Sequence, residues 1–193
     1  MKTHTDNSVQ GVVLAKRRFL KQMMYGSLLA MGGAPIANAT AHRVPLSHKT
    51  IALHHPQTGN QLNITYFEQG RYLKDALLEI DHLLRDHHSG AIHRIDPVLI
   101  DQLHDLKQLL GARKPVQVVS AYRSPYTNAS LRNHSHRVAK HSLHMEGRAI
   151  DIRIEGVPTA IVKKAALAMR RGGVGYYPSA DFVHLDTGEI RSW

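Results

Sequence analysis

The stretch HSLHMEGRAID, residues 141–151, decides the arrangement of the fold, because it places histidines and an aspartate around a glycine, ahead of an alternating apolar run. On a continuous helix, His144 and Asp151 would be separated by about 10 Å of rise, too far to share one ion at bonds of about 2 Å. Gly147 can supply a turn between them. We therefore expect His144 on the incoming arm and Asp151 on the strand that follows.

A third ligand for such a site is available near the far end of the sequence. In the run FVHLD, residues 182–186, His184 and Asp186 share one face of a predicted strand. The chain has no cysteine, so a metal would be held by histidine and carboxylate. His144, Asp151 and His184 would leave a fourth position open, which is typical of catalytic zinc. With 15 histidines in the chain, a chance pairing also stays open at this point.

The apolar patterns predict one domain of α+β class, with a small, mostly antiparallel sheet and flanking helices. Residues 149–154 alternate strictly, so Asp151 faces away from the apolar side of its strand. One helix is well bounded, with Asp96 as N-cap, Pro97 in the first turn and Gly111 as its stop. The other predicted strands cover 50–53 and 62–67 (a hairpin), 116–120, 174–177 and 182–186, and the other helices cover 72–88 and 158–171.

Residues 15–41, AKRRFLKQMMYGSLLAMGGAPIANATA, combine a basic cluster, a short and mildly apolar run, and small-residue cleavage sites. This pattern predicts an export signal peptide over 1–41 and a single domain over 42–193, with membrane contact only during export. Lys16-Arg17 stands where a twin-arginine motif has its arginine pair, and the lysine leaves the route open between twin-arginine and general secretion. The glycines of the run oppose the alternative, a cytosolic amphipathic helix.

The charge of the chain favours an anionic partner. Lys and Arg number 25 against 15 Asp and Glu, a formal charge of +10, and residues 42–193 keep 20 against 14, or +6. Nucleic acid and a cell-wall polymer would both satisfy a surplus of this size. Export and the lack of a basic aromatic motif argue against nucleic acid, so we expect no nucleic-acid partner.

A longer signature runs through the opening stretch. Ser142, His144, Gly147, Ala149 and Asp151 match the pattern Ser-x-His-x-x-Gly-x-Ala-x-Asp at every fixed position. On these residues the chain resembles the zinc D-alanyl-D-alanine peptidases, a group that also resembles lysostaphin-type enzymes and the hedgehog signalling domain. The resemblance implies a hedgehog/DD-peptidase-like fold. Three further segments are similar to the murein endopeptidases of Gram-negative bacteria: SAYRS at 120–124, GGVGYY at 172–177 and FVHLDTG at 182–188.

The resemblance implies a role for each matching residue. His144, Asp151 and His184 would bind one zinc ion per chain. Arg123 corresponds to the arginine that polarises the scissile carbonyl or holds the oxyanion in the family, and its planar guanidinium suits that role. The alternative for Arg123 is an ordinary arginine in an Arg-Ser-Pro turn.

The general base is less clearly indicated. Several relatives use a glutamate three residues before the last histidine ligand, and this chain has Asp181 there. In an ideal strand an odd offset would point Asp181 away from His184, so a bulge or loop start must bring it round. Asp186 shares the face of His184 and is the second candidate, as base or as a partner that orients a histidine. We place Asp181 slightly ahead.

Three side chains are predicted to contact the substrate: Ser142, Tyr122 and Tyr176. Tyr177 is a further candidate for the wall of the cleft. Each has an ordinary alternative, a turn cap for the serine and packing at the edge of the core for the tyrosines. His141 also lies near the site in sequence. One interpretation is that it reaches the substrate or hydroxide, and the one we favour is a place on a basic surface loop.

An exported zinc enzyme with this signature would hydrolyse amide bonds of peptidoglycan stem peptides in the periplasm. The first hypothesis is a murein endopeptidase that cuts crosslinks, D-alanyl to diaminopimelate or diaminopimelate to diaminopimelate, during wall growth or remodelling. The second is a D-alanyl-D-alanine carboxypeptidase or dipeptidase, which shares the signature. The third is a non-catalytic, zinc-containing wall-binding module.

Overall fold

The computed structural model describes residues 48–134 and 138–193. The predicted export signal at 1–41 and the predicted domain boundary at 42 lie outside the described residues. Within the described ranges, no helix is both long enough and apolar enough to cross a membrane.

Eight strands form one mixed sheet in the described part of the chain, and four α-helices accompany it. The strands lie in the spatial order β3-β2-β1-β4-β5-β7-β6-β8. They are β1 His48–His55, β2 Asn60–Glu68, β3 Arg71–Tyr72, β4 Val116–Ser120, β5 Ala149–Ile154, β6 Gly173–Tyr177, β7 Phe182–Asp186 and β8 Arg191–Ser192. The helices are α1 Lys74–Leu83, α2 Pro97–Leu109, α3 Pro125–His134 and α4 Thr159–Met169.

The predicted α+β class with a mostly antiparallel sheet is confirmed. Five strand pairings are antiparallel, and two, β1 with β4 and β6 with β8, are parallel. The predicted hairpin is β1–β2, which closes where His55 pairs with Asn60. The sheet is larger than predicted, because β3 and β8 are two-residue strands without an alternating pattern. Helix α3 also escapes prediction, because the residues that it buries are the polar Thr127 and Asn128.

The hydrophobic core joins the sheet to α1, α2 and α4. Ile150 and Ile152 of β5 are fully buried in it, together with Leu99 of α2. Burying one such side chain is worth about 1.5–3 kcal/mol. β5 lies between β4 and β7 in the sheet, and its other face is largely buried as well. Asp151 on that face is therefore buried, although it points away from the apolar core.

The N-terminus of α2 is attached to the loop that carries the signature. Asp96 caps the helix as predicted, since its Oδ1 accepts a hydrogen bond from the Val98 amide at 2.9 Å. Its other carboxylate oxygen accepts from Thr187 Oγ1 at 2.8 Å, and its amide donates to the carbonyl of Gly147 at 2.9 Å. The capping residue of one helix thus holds the loop between His144 and β5 in place.

Candidate metal centre

His144 is presented by a short 3-10 turn, Leu143–Glu146, that ends at the predicted glycine. Ser142 caps this turn, since its Oγ accepts a hydrogen bond from the His144 amide at 3.4 Å. Gly147 has a φ of +67°, and a Cβ there would collide with the carbonyl oxygen of Arg94. A left-handed residue without a side chain is therefore required at this point, and the predicted turn at Gly147 is confirmed.

His184 and Asp151 meet because their strands pair. β5 and β7 are antiparallel neighbours in a register that sets Asp151 directly opposite His184. In such a pair the two side chains project to the same face of the sheet. His184 Nδ1 lies 2.8 Å from Asp151 Oδ1. Residues that are remote in sequence thus share one site as a direct consequence of strand register.

Three atoms converge at this site, one each from His144, Asp151 and His184. His144 Nε2 lies 3.3 Å from Asp151 Oδ1 and 3.2 Å from His184 Nδ1. Tetrahedral bonds of about 2.0–2.1 Å to zinc place neighbouring ligand atoms about 3.3 Å apart. The three side chains are buried, so they have little freedom to move apart. The triangle that they form accordingly fits a zinc-sized cation.

The outer nitrogens of the two histidines are already engaged. His144 Nδ1 lies 2.6 Å from the carbonyl oxygen of Ala121, which can only accept, so this nitrogen carries the proton. His184 Nε2 lies 3.1 Å from Asp186 Oδ2 and donates to it. With its outer nitrogen engaged, each ring can present the lone pair of its inner nitrogen to a cation, and the two inner nitrogens lie 3.2 Å apart. A proton on His184 Nδ1, donated to Asp151, or a metal ion bound by all three groups satisfies this arrangement.

The electrostatics of the cluster favour a bound cation. Burial alone would lower the pKa of His184, but its hydrogen bonds to Asp151 and Asp186 raise it above the ordinary value. Burial lowers the pKa of His144. Burial opposes the charge of Asp151, yet the two histidines hold the pKa of its carboxyl far below the usual range. Asp151 therefore stays ionised, and its charge attracts either a proton on His184 or a metal ion.

Asp186 stands behind His184, on the side away from the three converging atoms. It is completely buried, and its oxygens accept from the amides of Gly173 and Gly188 at 3.0 and 2.8 Å. Arg191 donates to both oxygens as well. Burial disfavours the charge, but these bonds hold the pKa of Asp186 well below its usual range. Asp186, one of the two candidate bases in the sequence, thus contacts the outer nitrogen of His184 and can orient that ring.

Arg123 lies beside the cluster with its guanidinium largely buried. Its Nη2 lies 3.2 Å from Ser120 Oγ and 3.4 Å from Asp151 Oδ2. Its Nε has no hydrogen-bond partner among the described residues. A buried donor without a partner is rare and costs free energy.

The remaining predicted residues lie farther from the cluster. Asp181, at the turn before β7, has a left-handed φ of +50°, and its side chain is 68% exposed. It accepts a hydrogen bond from Thr159 Oγ1 at 2.9 Å. Tyr122 is buried and stacks on His93, with ring centroids 4.7 Å apart. Tyr176 lies under the ammonium group of Lys163, 4.9 Å from the ring centroid. None of these three predicted residues lines the cleft that adjoins the cluster.

That cleft has a volume of about 360 Å³. Arg123 and the cluster line it together with the predicted Ser142 and Tyr177. Sequence reasoning did not assign cleft positions to Phe182, Arg191 and Trp193, which also line it. The sequence does carry a signal for Arg191 and Trp193. β6 has glycine at alternate positions, and glycine within a strand often marks the close approach of another group. Tyr177 and Phe182 stack on each other, with centroids 4.5 Å apart.

The fold and ligand set together define a class of protein. Two histidines and one carboxylate that converge beside an open cleft fit the ligand set of a metallohydrolase better than that of a closed structural site. Within that class, the chain belongs to the family described as peptidoglycan L,D-endopeptidase MepK, whose family model matches residues 44–193.

Curated relatives agree with this family. The chain is 44% identical over 172 residues to the peptidoglycan L,D-endopeptidase MepK of Escherichia coli strain K12, covering 86% of this chain and 94% of that protein. The MepK of Shigella flexneri matches to the same extent. A probable MepK of Haemophilus influenzae is 41% identical over 137 residues, covering 70% of this chain and 74% of that protein. No solved structure matches the chain.

Proposed function

We propose that this protein is a zinc-dependent murein endopeptidase that hydrolyses peptide crosslinks in peptidoglycan. The observation that carries the proposal is the convergence of His144 Nε2, His184 Nδ1 and Asp151 Oδ1, 2.8–3.3 Å apart, beside an open cleft. Membership of the MepK family supplies the substrate class. The net positive charge of residues 42–193 suits an anionic wall polymer.

The crosslink that we propose as preferred joins two diaminopimelate residues. The relatives are named L,D-endopeptidases, and such an enzyme cuts between a residue of L configuration and one of D configuration. A diaminopimelate–diaminopimelate crosslink has that order of centres, whereas a D-alanyl–diaminopimelate crosslink joins two D centres. The name of the relatives therefore supports the first of the two crosslinks that sequence alone leaves open.

The residues of the cleft divide the chemistry between them. A zinc ion held by His144, Asp151 and His184 would polarise the scissile carbonyl and activate water. Arg123 lines the same cleft, and its guanidinium would donate to an oxygen that gains negative charge. Asp186 accepts the outer proton of His184 and so keeps the inner nitrogen of that ring free for the metal.

We propose His141 as the group that receives the proton from water. Of the two carboxylates considered first, Asp181 lies outside the cleft, and Asp186 has both oxygens occupied by donors. His141 lines the cleft and is exposed, so its imidazole is accessible to water and to substrate. Histidine is also the side chain that most often serves as a general base in enzymes.

Two further features belong to the same proposal. The fold would be of the hedgehog/DD-peptidase-like type, which the ligand-bearing pair β5–β7 and the signature around His144 support. The enzyme would act in the periplasm after export, by the twin-arginine route or by general secretion, because residues 1–41 have the composition of an export signal.

The deciding experiment incubates the purified protein without residues 1–41, zinc-loaded or chelated, with isolated sacculi. Chromatography and mass analysis then identify the released muropeptides. We expect loss of diaminopimelate-crosslinked dimers with zinc alone. Loss of terminal D-alanine from monomers would indicate a carboxypeptidase instead. No change in either, with zinc bound, would indicate a non-catalytic wall-binding module.

A further inference from the structure

The segment 191–193 lies against the metal centre, although nothing in the family signature includes it. Arg191–Ser192 forms β8, which pairs in parallel with β6. The Trp193 amide donates to the carbonyl of Val174 at 3.3 Å, and the Tyr176 amide donates to the carbonyl of Trp193 at 3.0 Å. These backbone bonds fix the segment beside β6, the strand that neighbours the His184-bearing β7.

Arg191 reaches His184 through one intermediate group. Its Nη1 lies 3.2 Å from Asp186 Oδ1 and its Nη2 lies 2.7 Å from Asp186 Oδ2, which is the two-pronged geometry that guanidinium and carboxylate favour. Asp186 Oδ2 in turn accepts from His184 Nε2 at 3.1 Å. The orientation of an imidazole ring is set by the partner of its outer nitrogen. Arg191 therefore acts on the direction in which His184 Nδ1 points.

Trp193 restricts the same ring by packing. Its indole lies 5.2 Å from the His184 ring, centroid to centroid, at 50°. The indole is held in turn, because its Nε1 donates to Tyr177 Oη at 2.8 Å and the Arg191 guanidinium lies 5.0 Å from its ring centroid. His144 contacts the His184 ring as well, with centroids 5.0 Å apart. His184 is thus confined by two rings and by its hydrogen bonds to Asp186 and Asp151.

Two glycines of β6 make this arrangement possible. A Cβ on Gly173 would collide with the Asp186 carboxylate and the Arg191 guanidinium. A Cβ on Gly175 would lie 2.7 Å from the Trp193 ring. Residues two apart in a strand share one face, so these positions clear a continuous space for the segment. Strand glycines weaken a sheet, and here both coincide with the approach of the same segment.

We propose that Arg191 and Trp193 are positioning residues of the metal centre, which hold His184 in the orientation that binds metal. The proposal rests on the proposed function only in that His144, Asp151 and His184 must bind a cation. Loss of a group that orients a metal-binding histidine typically weakens metal affinity about 10- to 100-fold. We expect a loss of zinc affinity in the same range when the contact of Arg191 with Asp186 is disrupted.

The decisive variant is Arg191→Lys in the full chain, because lysine keeps the charge and loses the two-pronged contact. Removing the charge altogether would also change the attraction for a cation and so mix two effects. Arg171→Lys is the matched control: Arg171 pairs with Asp105 away from the cleft, and its side chain is 35% exposed against 44% for Arg191. Trp193→Leu tests the packing contact separately.

The primary measurement is the dissociation constant for zinc, obtained by competition with a chelator. We expect it to rise about 10-fold or more in Arg191→Lys, to rise by a smaller factor in Trp193→Leu, and to stay within twofold of wild type in Arg171→Lys. Thermal unfolding of the chelated proteins should be similar, which separates positioning from general stability. If Arg191→Lys does not fold, the zinc affinity of Trp193→Leu alone tests the proposal.

Wild-type zinc affinity in both Arg191→Lys and Trp193→Leu would overturn the proposal. That failure is distinct from failure of the proposed function, in which the zinc-loaded wild type would release no crosslinked fragments from sacculi. The two experiments have different readouts, metal affinity and muropeptide release, so either idea can fail while the other stands.

Discussion

Asp151 and His184 are directly opposed on the antiparallel strands β5 and β7, with Asp151 Oδ1 2.8 Å from His184 Nδ1. This one register makes two of the three proposed ligands neighbours. His144 joins them from a different kind of element, a capped 3-10 turn that ends at Gly147. The site therefore depends on a rigid sheet for one edge of the ligand triangle and on a glycine-dependent turn for the third corner.

Removing one ligand should abolish zinc binding without unfolding the chain. We expect His144→Ala to weaken zinc affinity more than about 100-fold, beyond the range for an orienting partner, and to eliminate release of muropeptides. His82→Ala on the exposed face of α1 is the control, since it alters a histidine outside the cleft. The zinc content after dialysis measures the loss of binding, and circular dichroism measures whether the fold survives. Wild-type hydrolysis in His144→Ala would remove the zinc mechanism.

Arg123 should act on the chemical step rather than on metal binding. Its place in the cleft suits a donor to an oxyanion, and removing one such donor typically costs about 10²–10³ in kcat. We therefore expect Arg123→Gln to lower kcat by that order while zinc content stays at one ion per chain. Steady-state kinetics on a purified crosslinked dimer would check it. A change confined to KM would assign Arg123 to ground-state binding instead.

The three candidate proton acceptors are separable by single substitutions. Asp181→Asn should leave hydrolysis within about twofold of wild type, because this exposed side chain lies outside the cleft and surface substitutions have small effects. His141→Gln should lower kcat about 10²-fold or more with zinc retained, the usual contribution of a general base.

Asp186→Asn should instead reduce zinc affinity, because it changes the partner of His184. Zinc content and kcat measured on the same samples distinguish the three outcomes. A large loss of kcat in Asp181→Asn with zinc retained would restore Asp181 as the base.

Local patterns were sufficient to predict most of the elements that build the site. The strict alternation at 149–154 predicts β5 and the outward face of Asp151, and the N-cap and proline at 96–97 predict the start of α2. Gly147 predicts the turn, because a left-handed residue leaves few alternatives. These features depend on residues close together in sequence, which is the range over which periodicity and capping rules apply.

The positions that depend on long-range packing could not be predicted in the same way. Asp186 shares a face with His184 in any strand, but only the approach of Arg191 shows that its oxygens are fully engaged. Tyr122 is adjacent in sequence to Arg123, yet it is buried and stacks on His93. The left-handed backbone at Asp181 directs its side chain to Thr159. Each of these outcomes is decided by a partner that sequence does not bring nearby.

A buried histidine outside the site predicts that the protein loses stability in mild acid. His55 at the end of β1 is completely buried, and neither of its ring nitrogens has a hydrogen-bond partner among the described residues. Burial, together with smaller effects of the nearby His87 and Arg85 in the same direction, lowers its pKa to about 4. The folded state therefore keeps this ring neutral, whereas the unfolded chain protonates it near the ordinary pKa of about 6.5.

The sign of the effect follows from proton uptake. Between about pH 6.5 and pH 4 the unfolded state binds more protons at His55, so stability is full above this window and falls as the pH drops through it. From pH 7 to pH 5 the loss attributable to His55 is about 2 kcal/mol. We expect His55→Leu to reduce the difference between the free energies of unfolding at these two pH values by about that amount; His82→Gln, at an exposed histidine, is the comparison. Urea unfolding of the chelated proteins measures both, and an identical pH dependence in His55→Leu and wild type would show that His55 is not the buried acid-sensitive group.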